Sequence, residues 1–499
     1  MWMQKIINKD MKKYTYLFIM LIAIGAYGCK KSFLDLRDPD DLTPQNFFKT
    51  PAQFQQAVNG AYAPLQDLYN GSFWAMGEMR SDNTSYEYDD QDRSGTNKEE
   101  IDEFRELNNS DIVASFFSDS YVAIERCNVI LNRMPAAKLD TAVSAPIAGQ
   151  AYFLRAFNYF NLVRMFGDIP LVTIDEQSAA DAFKVKRTAA ANIYPQIIAD
   201  AQAAIARLPL SYPADADKGR VTKGTAETML AEVYMTQHNF SQAVPLLQAV
   251  VASGVYSLNA NYADNFNINK ENGPESIFEV QYIEGNNGLS SDFVDTFCPW
   301  DVYDDSVTGY EIENGAQNGW NIPTQDMLDA YEQGDKRRAA SLNEDFISDE
   351  WGYLVPYVIK FNSIAKVQFQ TGNNFPVYRY ADVYLMLAES LNEAGYEAGG
   401  DAFHYLNLVR ERAGLADKTS ATVPDQASLR LVIAHERQVE LAFENHRWFD
   451  LLRTGTATTV MQAHAAREKQ IKASYINSAA YANIRLVYQY PASEQQLEQ

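Results

Sequence analysis

The sequence predicts a mainly α-helical fold, a tetratricopeptide-like solenoid of helical pairs with long irregular loops and a few short strands. Three observations carry this. Small and aromatic residues recur at paired-helix spacing, first as Leu230, Ala231, Tyr234 with Phe240, Ala243, Leu247, and again as Leu387, Ala388, Leu391 with Ala402, Leu406, Val409. Longer segments show one apolar face at helical period, as in Phe153, Ala156, Phe157, Phe160 and Val163. Two long stretches, 73–109 and 285–320, mix Gly, Asn and aromatics without period. Small side chains such as Ala231 and Ala243 let paired helices approach closely, and stacked pairs share a continuous core.

In order along the chain, Thr43-Pro44 and Thr50-Pro51 open two helix candidates, the second with the stripe Phe54, Val58, Ala61, Leu65 and a break at Asn70-Gly71. Helices are expected over 111–134, 150–166 and 190–207, and a turn at 219–222 feeds the first tetratricopeptide-like pair. Alternation predicts a strand over 276–282 and another over 353–361, with a helix over 325–331 between them. Near the C-terminus, a helix from about Leu429 places Val432, Ile433, Glu436, Val439, Glu440 and Phe443 on one side, with Asn445 as a left-handed stop. Carboxylates on an apolar stripe are costly unless paired, and Arg437, Arg447 and Arg453 are the cations nearest in sequence. Past Arg453 the chain is Ala-rich and polar.

The 499 residues are 46% hydrophobic and 21% charged, ordinary for a globular protein. A net charge of -23 disfavours nucleic acid and anionic lipid as partners. Lys12 and Lys13 precede an apolar run over 14–28, too short to span a bilayer comfortably and flanked like a secretory signal. Its end, Ala26-Tyr27-Gly28-Cys29, resembles a bacterial lipobox, which implies a lipid on Cys29 and loss of residues 1–28. A signal anchor or an ordinary secretory cleavage is the alternative. Cys127 and Cys298 then remain, in differing contexts and with no disulfide framework or metal pattern, as packing residues.

The string Glu436-Arg437-x-x-Glu440-Leu441-x-Phe443-Glu444-x-x-Arg447-Trp448-Phe449-Asp450-Leu451-x-Arg453 resembles the C-terminal signature of the SusD/RagB family of outer-membrane nutrient-binding lipoproteins. The phrases at 152–172 and 319–332 resemble the same family, so the likeness spans the mature chain. Gln438 stands where the family often has a second Arg. The resemblance implies a signal peptide at 1–28, a lipidated tether at 29–42 and a SusD-like helical domain at 43–499, with an N-terminal hallmark at about 43–250 and a C-terminal part at about 275–499. It also implies surface capture of oligosaccharide, without catalysis or cofactor, and delivery to a SusC-like TonB-dependent barrel in the outer membrane.

Indoles and phenols offer flat area for sugar C–H faces, and neighbouring polar groups bind hydroxyls. In the two irregular stretches the ligand candidates are Trp74, Arg80, Asn83, Tyr86, Trp300, Tyr303, Tyr310 and Trp320. Glu436, Arg437, Glu440, Glu444, Arg447, Trp448 and Asp450 are expected to be structural. Asp89, Asp90 and Asp92 lack the spacing of a calcium loop, and the chain carries no H-E-x-x-H, G-x-S-x-G, P-loop or dinucleotide fingerprint. RagB-like peptide capture and a surface glycoside hydrolase are the competing functions.

Overall fold

In the computed structural model, Thr50 caps the first helix, α1 (Pro51–Asp67), through a capping box with Gln53, and Pro51 fills the first-turn position where no N–H is needed. The structure describes residues 47–90, 93–175, 185–285, 288–299, 318–348, 352–363 and 367–497. Residues 1–49 form a separate unit; 50–499 carry the helical frame. Asn70-Gly71 does not break the chain as expected: α1 passes through a π-turn, Leu68–Ser72, into α2 (Phe73–Gly77).

Beyond α3 (Thr96–Asp102), the frame is an antiparallel stack: α4 (Asp111–Ala137), α5 (Thr141–Phe166), α6 (Ala190–Ile205), α7 (Lys223–Thr236) and α8 (Phe240–Ala252) each pack on the next. α5 starts nine residues before the predicted 150 and is buried on almost every face from Ile147 onward, because α1, α4 and α6 surround it. Arg155 is accommodated there by Asp200 at 2.8 Å and Arg164 by Glu232 at 2.6 Å. Between α5 and α6, β2 (Ile169–Pro170) pairs antiparallel with β3 (Arg187–Thr188). Cys127 and Cys298 are buried free thiols, and burial pushes Cys127 up to about 12.

The stack then skips more than a hundred residues. α8 packs directly on α12 (Tyr380–Ala394), which continues into α13 (Asp401–Ala413) and α14 (Gln426–Glu440). What closes the gap is an antiparallel pair, β4 (Ser276–Val280) with β8 (Phe375–Arg379), the latter feeding straight into α12. β8 escaped the sequence reading, and the strand expected over 353–361 is only β7 (Tyr357–Val358), paired with β6 (Leu342–Asn343). Bracketed by β4 and β8 lie α9 (Phe293–Phe297), α10 (Gln325–Ala330) and α11 (Lys336–Ser341).

α14 ends at Glu440, three residues earlier than the stripe predicted; Phe443 and Asn445 both adopt positive φ, 68° and 65°, in the turn beyond it. That turn is capped by Glu78, whose buried carboxylate accepts the Phe443 and Asn445 N–H groups at 2.9 Å each. α15 (Arg447–Arg453) and α16 (Ala457–Ile471) follow, so the Ala-rich stretch past Arg453 begins as a helix. No helix among the described residues is long and apolar enough to cross a membrane.

The cations nearest in sequence are not the partners of Glu436 and Glu440. Glu436 pairs with Arg337 and Arg410, and Glu440 with Arg337, Arg379 and Arg412. Arg437, one position round the helix, points elsewhere, to Asp382 and Asp450. Arg447 reaches Asp82, Arg453 reaches Glu389 and Asp450, and Gln438 donates to Asn83 Oδ1 at 3.0 Å. Trp448 is buried against Phe104.

Candidate functional site

The two irregular stretches are zipped together. β1 (Thr84–Ser85) pairs antiparallel with β5 (Ile322–Pro323), and the register is extended by Glu87 N–H donating to Gly319 O at 2.8 Å and Thr324 N–H to Asn83 O at 2.9 Å. On the far side, 318–320 is laid along α9: Asn318, Gly319 and Trp320 N–H groups donate to Asp295, Cys298 and Thr296 carbonyls at 2.9–3.1 Å. A pocket of about 340 Å³ opens where these segments meet the π-turn and the start of α3.

Its walls include Trp74, Trp320, Asn70, Lys98, Asp292 and Thr296. Trp74 is almost wholly enclosed, with its indole N–H on Asn70 O at 3.2 Å and its ring edge-on to Phe297 at 5.3 Å. Trp320 is half-buried, and the Lys98 ammonium sits 5.0 Å from its ring centroid. Asn70 Oδ1 fixes Asp292 by accepting its backbone N–H at 2.9 Å. Burial pushes the Asp292 carboxyl up to about 7, against a hydrogen bond from Thr296 and with help from Asp295; burial likewise lowers Lys98, which Asp292 partly offsets.

Of the ligand candidates, Trp74 and Trp320 are brought together on this pocket. Arg80 and Asn83 are wholly buried and away from its wall: Arg80 pairs with Glu106 at 2.8 Å and stacks on Phe104 and Tyr488 at 4.1 Å each, while Asn83 donates to Glu78 at 2.8 Å. Tyr86 lies behind the wall, its hydroxyl donating to Glu103 at 2.7 Å and its ring 6.4 Å from Trp320. Trp300, Tyr303 and Tyr310 lie outside the described residues, as does Cys29. Stretch 73–109 is thus largely interior, because its polar groups are consumed by neighbours rather than solvated. Among the described residues no cluster of His, Cys, Asp or Glu fits a metal ion.

Two grooves flank Lys218 and Arg220 elsewhere on the frame; on their walls Tyr62 donates to Gln150 at 3.2 Å and Tyr256 bonds Thr222 at 2.7 Å, while the buried Tyr212 hydroxyl has no hydrogen-bond partner among the described residues. The Trp320 pocket keeps polar groups available.

Gly95 holds Trp320 in place by having no side chain. A Cβ there would lie 2.0 Å from Trp320 Cζ2, so Gly95→Val is expected to drive the indole out of the pocket. An altered tryptophan emission spectrum with unchanged melting would register this, and an unchanged spectrum would refute it.

One family model, described as SusD family, matches residues 347–497, and another, described as starch-binding associating with outer membrane, matches 32–235. SusD-like protein P2 of Formosa agariphila is 30% identical over 481 residues, covering 89% of this chain and 91% of that one. The chain belongs to the SusD-like family. Its fold is shared with surface glycan-binding protein A of Bacteroides thetaiotaomicron in complex with laminarihexaose, at TM-score 0.73 and 22% identity, covering 89% of this chain and 97% of that one. A laminarin-binding SusD-like protein matches at TM-score 0.73 and 24% identity, covering 89% and 97%. The string 436–453 thus runs from the end of α14 through the turn into α15, and its charged side chains are paired inside the frame described above.

Proposed function

We propose that the protein captures oligosaccharide at the cell surface, without catalysing a reaction, and hands it to a SusC-like TonB-dependent outer-membrane transporter, anchored by lipid on Cys29. The observation that carries this is the pocket at Trp320: a half-buried indole beside unconsumed polar groups, mounted on a rigid helical frame. Family membership, and the laminarihexaose held by a protein of the same fold, support a glycan as cargo. A pocket with one accessible ring and scattered hydrogen-bonding groups suits modest affinity and fast release, which a delivery step needs.

Titration calorimetry of the full chain in detergent against laminarihexaose, maltohexaose and a peptide mixture tests the reading. Glycan binding should appear and fall about tenfold or more in Trp320→Ala, given the 0.5–1.5 kcal/mol of ring stacking plus lost area. Binding of peptides alone would sink it in favour of RagB-like uptake, and release of new reducing ends would establish a glycoside hydrolase instead. Anchoring is tested separately: radiolabelled palmitate should enter the chain and be lost in Cys29→Ala, and a variant still fully membrane-bound would refute the lipid.

A further inference from the structure

Among the described residues three hollows follow one another along the frame, and the Trp320 pocket is at one end of the row. The nearer groove, about 360 Å³, is walled by Ala63, Gln66, Gln281 and Leu289, and the farther one, about 330 Å³, by Leu210, Ser211, Val255 and Tyr256. The two grooves share Lys218, Gly219, Arg220 and Phe278, so the turn at 218–220 is the saddle between them. Glycine keeps that saddle low. Gly219 has a φ of 86°, and a Cβ on it would lie 2.5 Å from Gln281 Cδ. The nearer groove adjoins the pocket over two rails. One is α1 with its π-turn, where Gln66 walls the groove and Asn70, four residues on and on the same face, walls the pocket roughly 6 Å farther along the axis. The other is the chain leaving β4, where Gln281 and Leu289 wall the groove and Asp292 the pocket. The rails are tied at both hollows: Gln66 Nε2 donates to Gln281 O at 2.7 Å, Tyr282 Oη to Gln66 O at 2.8 Å, and Asp292 N–H to Asn70 Oδ1 at 2.9 Å. Groove and pocket are thus consecutive hollows over one fixed pair of rails.

The grooves offer something different from the pocket. Arg220 pairs with Asp217 and Lys218 with Asp215, each at 2.7 Å, and Gln281 accepts from Asn272 at 2.8 Å, so these polar groups bond within the walls. Apolar area remains at the rims, where Leu210, Val255 and Leu289 stand 50%, 38% and 44% exposed. Area of that kind, with few open hydrogen-bonding groups, holds a ligand weakly by itself. It adds to affinity when the same chain is already gripped next door, because the second contact is then intramolecular. A chain of sugar rings, each with a C–H face, is a ligand that can be gripped in one hollow and laid over the next. We propose that the two grooves continue the Trp320 pocket as a track for one glycan chain, so that the protein binds polysaccharide more tightly than short oligosaccharide. The proposal rests on the glycan reading above and assigns the residues that read chain length within it.

The test is calorimetry of the full chain in detergent with laminaritriose, laminarihexaose and laminarin, and in parallel with maltotriose, maltohexaose and amylose. In the series that binds, affinity should climb by about tenfold or more from trisaccharide to polymer. Ala63→Trp, which fills the nearer groove, should cut that ratio to under about threefold, and Ser211→Trp, on the wall of the farther groove, should lower the affinity for the polymer. Trp320→Ala should weaken every length in the series, because each is gripped first in the pocket. Melting curves matching the wild type confirm that the variants are folded, and if Ala63→Trp does not fold, Ser211→Trp, at an exposed position, decides alone. Equal affinity for trisaccharide and polymer, or a climb that survives the groove variants, overturns the track and leaves the glycan reading standing. No binding of any of the six glycans brings down both readings together.

Discussion

Replacing Arg379 by Met is expected to destabilise the protein by about 3–5 kcal/mol, a large part of the ~5–15 kcal/mol that holds a typical domain together. Arg379 ends β8, at the point where the chain returns to the helical stack, and its guanidinium is spent entirely inside the protein. Nε donates to Glu444 at 2.7 Å, Nη1 to Glu275 and Glu440 at 2.8 Å each, and Nη2 to the Glu440 carbonyl and Glu444 at 2.8 Å each. Arg337, Arg412 and Lys360 share the same carboxylates, so Met would leave Glu440 and Glu444 short of cation in a dry interior. Lys is no substitute, because a point charge with three donors does not reproduce the five-donor fork. Urea unfolding measures the effect. The control is Arg430→Met, which breaks a pair with Glu393 of similar length, 2.6 Å, at a partly exposed site and should cost under about 1 kcal/mol. Equal losses in the two variants would show that burial is not what makes the Arg379 network matter.

How far such a network was legible in the sequence is visible at α14. Its apolar stripe, and the anomaly of Glu436 and Glu440 upon it, could be seen because helical period is local. The identity of the partners could not. Arg337 comes from α11, Arg379 from β8, and Arg410 and Arg412 from the last turn of α13, and no local pattern links a carboxylate to a cation that tertiary packing delivers. β8 itself is five residues with a Pro inside, too short to stand out, yet it brackets the whole insertion. The pocket divides the same way. Trp74 and Trp320 stand out because large aromatics are rare in polar stretches, whereas Asn70, Lys98, Asp292 and Thr296 are ordinary residue types that acquire meaning only when β1 meets β5 and α9 receives 318–320. Arg80, Asn83 and Tyr86 were drawn in by residue type alone, without any sign that their polar atoms were already taken.

The ionisable interior also sets an expected pH profile: stability should rise slightly on acidification to about pH 5 and then fall steeply below about pH 4. Two populations of groups act in opposite directions. Burial raises Asp102 to about 6 against Lys472, raises Glu271 to about 7, and raises Glu78 and Glu279. His464 is also raised, because Asp326 and neighbouring Glu468 and Asp102 outweigh its burial. Each of these binds its proton more readily folded than unfolded, so their stability contribution is greatest at low pH and is lost as pH rises through the folded values. The second population is depressed. Burial alone would raise Glu440, Glu444 and Asp450, but Arg412, Arg379 and Arg337 outweigh it at Glu440, Arg379 and Lys360 at Glu444, and Arg437 and Arg453 at Asp450. Glu332 is drawn down to about 2 by hydrogen bonds from Arg410. For these the unfolded chain takes up protons first, at about pH 4.5, so the stability present above that value drains away as pH falls toward the folded values, by about 1.4 kcal/mol per pH unit for each group. With several such groups titrating together, the acid limb should be the steepest part of a melting-temperature profile recorded by calorimetry, and Glu440→Gln should flatten it while lowering stability at neutral pH. A profile that stays level to about pH 3 would mean that Glu440, Glu444 and Asp450 are not held ionised by their cationic partners, and the buried network would lose its electrostatic rationale.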